Sequence, residues 1–160
     1  MPRFPALLAL CALIAFQPNA GAADEARKLT LEDGDRVLLI GDSISRGYTV
    51  GVRHALAGKV NLHRAPANCG PTTMGLAKLD LWLGEGTWDL IHFNFGIHDR
   101  ATPLADYTAR LTQIVTRLQS TGAKLIWAST THIPNKKGVM NDRVPKYNKI
   151  AAELMKANGI

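Results

Sequence analysis

Only two cysteines, Cys11 and Cys69, occur among the 160 residues, and no Cys-x-x-Cys or His-x-His pair is present. That argues against a disulfide framework and against a structural metal site. No apolar run reaches the roughly 18 residues that a bilayer-spanning helix needs, so stable membrane insertion is not expected. No glycine-rich loop ends in Lys-Ser or Lys-Thr, so the phosphate cradle of nucleotide-binding loops is missing. Internal repeats and low-complexity stretches are absent too. The formal charge is +6, but the basic residues are scattered, with Arg27-Lys28 and Lys136-Lys137 as the local pairs. A solvated surface accounts for them, and nucleic-acid binding is not indicated. What remains is an ordinary globular balance, 46% hydrophobic and 20% charged, with room for a single core.

The N-terminus reads as a targeting segment. Arg3 supplies a positive start, Ala6 to Phe16 is apolar, and Ala20-Gly21-Ala22 offers small residues for cleavage. This pattern fits a secretory signal peptide over 1–22, cleaved near Ala22, and a secreted or periplasmic location. Residues 23–35 are polar and form a leader into a domain spanning 36–160. Without Cys11 the exported chain keeps Cys69 alone, so its stability rests on a core.

Beyond the leader, short apolar runs alternate with helical stripes. Val37-Leu38-Leu39-Ile40, stopped by Gly41, has the look of a strand buried on both faces. Lys59 to His63, Leu90 to Phe95 and Lys124 to Ser129 are further strands. Leu104, Tyr107, Leu111, Ile114, Val115 and Leu118 recur at spacings of three and four, with Pro103 suited to the first turn and Gly122 to the end. Val144, Tyr147, Ile150, Ala151, Leu154 and Met155 make a second stripe, closed by Asn158-Gly159. Segments 45–57 and 72–83 complete a βαβαβαβα order. Such an order implies an α/β fold, a parallel sheet with helices on both faces. Ligands of open α/β sheets bind beyond the carboxyl ends of the strands. Attention therefore falls on Asp42-Ser43, Asn68-Cys69-Gly70, Asn94 to Asp99 and Ser129 to His132.

Ser43 follows the first strand where a helix should begin, in a positive field that favours an oxyanion. Either it is a nucleophile, or it and Asp42 merely cap the helix. The wider pattern weighs on that choice. Gly41-Asp42-Ser43-Ile44-Ser45 resembles the first block of the SGNH, or GDSL-type, hydrolases. Asn68-Cys69-Gly70-Pro71-Thr72-Thr73 and Phe93-Asn94-Phe95-Gly96-Ile97-His98-Asp99 are similar to the second and third blocks, in the same order. The resemblance implies a flavodoxin-like three-layer αβα fold and ester hydrolysis through an acyl-serine intermediate, with no cofactor. It implies Ser43 as nucleophile and Gly70 as an oxyanion-hole glycine. Acyl or acetyl esters, small or on carbohydrate, are the implied substrates.

The third block departs from the common form. His98 stands where the family usually has an oxyanion-binding asparagine; a neutral imidazole N–H can donate there. Asn94 is a rival donor if the strand runs on, and a structural role is the third possibility. Asp99 is expected to fix the loop or cap the helix after Pro103 rather than ligate a metal. The family's base is a histidine in an Asp-x-x-His block after a fifth strand, and no such block occurs here. The chain thus resembles a member truncated before its last strand and helix, and low activity is expected. Asp89 to His92 has the spacing but lies at the wrong end of its strand, so His92 reads as a hydrogen-bonded residue in or near the core. His132 is better placed as a surrogate base but lacks an acid partner. His54 and His63 read as surface residues. Trp82, Trp88 and Trp127 are expected to pack helices on the sheet, with sugar stacking by one of them as the alternative. A non-catalytic exported carbohydrate- or ligand-binding module on the same fold is the rival function.

Overall fold

The structure, a computed structural model, describes residues 31–132, 134 and 143–160. The expected signal peptide and most of the leader lie outside the described residues. Strands β1 (Asp35–Ile40), β2 (Val60–Arg64), β3 (Leu90–Phe93) and β4 (Lys124–Trp127) alternate with helices α1 (Ser43–Ala55), α2 (Thr72–Leu83), α3 (Leu104–Gln119) and α4 (Val144–Ala157). All strand pairs are parallel, in the order β2-β1-β3-β4. The expected three-layer α/β architecture is what forms.

Alternation along the strands decides the layers. Leu38, Ile40, Ile91 and Phe93 point to one face and join Leu79, Trp82, Leu83, Tyr107, Leu111, Ile114, Leu118, Tyr147, Ala151 and Met155 from α2, α3 and α4 in the core. Each fully buried large apolar side chain there contributes roughly 2 kcal/mol. His92, which alternates with Ile91 and Phe93, faces the other way and meets the Tyr48 ring of α1 edge-on, with centroids 6.2 Å apart. Helix α1 is therefore the opposite layer. Of the three tryptophans, Trp82 is buried in the core, and Trp88 and Trp127 pack against it.

Boundaries differ from expectation for local reasons. Helix α1 begins at Ser43 because Asp42 caps it, its Oδ1 accepting from the Ile44 N–H at 2.8 Å. Strand β3 stops at Phe93 and β4 at Trp127. Just beyond, the Asn94 side chain donates to the Ala128 carbonyl at 2.6 Å, so an amide side chain bridges the two strand ends. Strand β2 runs one residue later than expected, to Arg64.

Within the described residues β4 is an edge strand, and its sequence, Lys-Leu-Ile-Trp, is apolar after the first residue. Such an edge templates pairing with another chain. The 160-residue polypeptide is accordingly expected to self-associate in light scattering, and Ile126→Lys to lessen it. A monodisperse monomer that melts cooperatively would overturn this.

Candidate active site

Strand β1 leads to β2 on one side and β3 pairs on the other, so the chain reverses its direction of travel across the sheet at β1. The crevice at such a switch point is where open α/β sheets bind ligands. Ser43 sits there, at the first position of α1, with its side chain exposed. The cap ambiguity is resolved by chemistry: the Asp42 carboxylate takes the capping bond, and among the described residues nothing hydrogen-bonds the Ser43 hydroxyl.

The segment after β2 is drawn to the same place. Cys69 N–H donates to the Gly41 carbonyl at 3.2 Å, which ties the residue before Gly70 to the turn before Ser43. Gly70 has φ +57, and a Cβ there would lie 3.3 Å from the Met74 sulfur, so both conformation and space favour glycine. Its N–H makes a long 3.3 Å bond to Asn68 Oδ1, which a developing oxyanion would have to displace. The Cys69 thiol is fully buried, and burial pushes its pKa up, so it stays protonated.

From the β3 end, His98 comes in on a single 3₁₀ turn, Ile97–Asp99. Its Nε2 lies 4.0 Å from Asp42 Oδ2, with the imidazole partly exposed and the carboxylate buried. Segments following β1, β2 and β3 thus converge around Asp42-Ser43. Asn94 is placed differently. Because β3 ends before it, its amide N–H groups go to Ala128 O and Thr130 Oγ1, at 2.6 and 3.3 Å, which leaves none aimed at an acyl oxygen. Gly96 is needed for packing, since a Cβ would lie 2.2 Å from Thr130 Oγ1.

Asp99 does fix the loop, as expected, but its carboxyl caps α2 rather than the helix after Pro103. It accepts from Thr72 N–H at 2.9 Å and from Thr72 Oγ1 at 2.6 Å. It is completely buried, and burial raises its pKa despite those bonds. Among the described residues no three His, Cys, Asp or Glu side chains converge in a way that would hold a metal ion.

His92 is half-buried, and its Nδ1 lacks the hydrogen bond expected of it. Burial lowers its pKa below the ordinary 6.5. The folded state therefore resists protonation while the unfolded chain does not. Stability attributable to this ring is present above pH 6.5 and falls as the pH drops from there through the lowered folded value. His92→Leu should flatten this part of the melting-temperature profile, as thermal melts between pH 7.5 and 5 would show. His54, His63 and His132 are exposed.

Sequence reasoning missed Arg64. At the last position of β2, its guanidinium reaches across the turn below Ser43. Nη1 donates to Ala65 O and Ala67 O at 2.7 and 3.1 Å, and Nη2 to Gly41 O and Asp42 O at 3.0 and 3.1 Å. Nε donates to Ser45 Oγ at 3.2 Å. The available signal was its place at the carboxyl end of a strand.

No protein-family model and no curated protein matches the chain. Solved structures do. The acetyl xylan esterase AlAXEase superposes with a TM-score of 0.68 at 15% identity, covering 78% of this chain and 74% of that one. Axe2, an acetylxylan esterase from Geobacillus stearothermophilus, gives 0.68 at 16% identity, covering 82% and 76%. TesA gives 0.64 at 19% identity, covering 78% and 74%. At these identities the likeness is one of fold, and the chain shares with all three a parallel α/β architecture.

Proposed function

We propose that this chain carries the site of an exported SGNH-type serine hydrolase acting on acyl or acetyl esters. The observation that carries the reading is the uncapped, exposed Ser43 hydroxyl at the switch point and at a helix N-terminus. The esterases among the structures of like fold support the reaction class. Export rests on the N-terminal pattern, and the catalytic domain on residues 36–160.

In this reading Ser43 Oγ attacks the acyl carbonyl carbon and its proton is removed. The carbonyl oxygen becomes an oxyanion, facing the Ser43 and Gly70 N–H groups and an imidazole N–H of His98. Collapse breaks the bond to the alcohol, which leaves protonated, and water later releases the acid from Ser43. No described histidine bonds to Ser43, so the proton-accepting base is the weak part of this site. Turnover by the 160-residue polypeptide is expected to lie several orders of magnitude below that of an intact Ser-His-Asp enzyme. Steady-state hydrolysis of p-nitrophenyl acetate measures this, and a rate like an intact enzyme's would contradict it.

Nucleophilicity is better tested by covalent capture. A fluorophosphonate should phosphonylate Ser43 Oγ with loss of fluoride and a proton, seen as a mass increment on the peptide carrying Ser43. Absence of any adduct, or an adduct elsewhere only, would favour a non-catalytic binding module.

A further inference from the structure

We infer that Arg64 is a positioning residue for the oxyanion hole, aiming the Ser43 N–H and holding the Gly70 loop at the matching distance. This rests on the serine-hydrolase reading and adds a part that neither the motif blocks nor the fold supplies.

The argument begins with peptide geometry. In a trans peptide the C=O and N–H point in opposite directions. The Asp42–Ser43 peptide has its carbonyl held by two donors, Arg64 Nη2 at 3.1 Å and Ser45 Oγ at 2.7 Å. Its N–H, the one that an oxyanion on Ser43 would meet, is thereby turned away from Arg64. Hydrogen bonds to a carbonyl also polarise the peptide and strengthen its N–H as a donor, more so when the other partner is a cation.

The same guanidinium sets the spacing. Gly41 O accepts from Arg64 Nη2 at 3.0 Å and also from Cys69 N–H at 3.2 Å. Ala65 O and Ala67 O, on the loop that leads to Gly70, accept from Nη1. One rigid planar group therefore bridges both segments that present oxyanion donors. All five guanidinium hydrogens have acceptors. Lysine cannot reproduce this, because its three donors radiate from one nitrogen.

The test compares binding of phenylboronic acid, which forms a tetrahedral anion on the serine oxygen, by ¹¹B NMR titration. Arg64→Lys is expected to weaken boronate affinity by about 10-fold or more, the scale of a disturbed oxyanion donor. The Ser43 amide ¹⁵N resonance should move as its carbonyl partner changes. A folded Arg64→Lys protein that binds boronate within about twofold of the parent would overturn the inference. Should Arg64→Lys not fold, Ser45→Ala decides: it removes the hydroxyl that seats Nε and shares the Asp42 carbonyl. Weaker boronate binding by about threefold or more in a Ser45→Ala protein that still melts cooperatively supports the inference, and unchanged binding overturns it. A parent protein whose boronate binding does not depend on Ser43 is a separate result, removing the hydrolase reading and this inference with it.

Discussion

Ser43→Ala is expected to abolish fluorophosphonate capture at this position, lowering the rate of adduct formation on the whole protein by at least about 100-fold, with little change in melting temperature. The two halves follow from one geometric fact. Asp42, not Ser43, caps α1, so alanine at the first helical position costs no cap and exposes no new donor. A surface change of that kind stays within about 0.5 kcal/mol. The attacking oxygen, by contrast, has no substitute: Ser45 is buried, its hydroxyl donating to Asp42 O and accepting from Arg64. Ester turnover should respond less than adduct formation does. Nucleophile and base act as a unit, so where no base engages the serine, deleting the serine costs little further turnover, and what the oxyanion donors and binding supply remains. Intact-protein mass spectra taken over a labelling time course, beside a melt of each protein, measure both halves. Labelling of the variant at the parent's rate would refute the assignment of Ser43.

The same asymmetry explains how much the sequence could reveal. Strand β1 and helix α3 were legible because burial dictates their pattern: four consecutive apolar residues for a central strand, a stripe at helical spacing for α3. The place of the site was legible for a related reason, since polar residues that follow apolar strands mark the ligand end of the sheet. Roles decided by contacts between distant segments were not. Asp42 and Ser43 are both good caps, and only coordinates show which side chain folds back on Ile44. Asn94 is a donor to the site only if β3 continues, but β3 ends at Phe93 and the Asn94 amide is taken up by Ala128 O, 34 residues along the chain. His92 seemed a satisfied core histidine, yet its Nδ1 finds no acceptor or donor. Arg64, at the end of a weakly patterned edge strand, looks like surface charge until its five donors are traced.

Asp99→Ala is expected to produce the largest loss of stability among these changes, about 3 kcal/mol, together with weakened capture at Ser43. The carboxyl is fully buried and lies 27 residues from the Thr72 groups it serves. Removing it leaves the Thr72 N–H and hydroxyl without an acceptor in a dry site, and each orphaned buried polar group costs about 1–3 kcal/mol. For a domain of this size that corresponds to roughly 10 °C in melting temperature. The effect reaches the site because Thr72 opens α2 two residues after Gly70, while Asp99 directly follows His98. Without the carboxyl, the two loops that carry proposed oxyanion donors lose their direct link. Asp99→Asn separates the contributions. It keeps the shape and one acceptor oxygen, so it should retain more than half of the lost stability, and it cannot ionise. Because burial holds the Asp99 pKa above its ordinary 3.8, the folded state binds that proton more tightly than the unfolded chain. The parent should therefore lose stability relative to Asp99→Asn as pH rises from about 3.8 through the raised value, and the gap should then stay constant. Thermal melts of the three proteins across that range measure it, and a difference between parent and Asp99→Asn that does not vary with pH would show that the carboxyl titrates in the folded protein as it does in the unfolded chain.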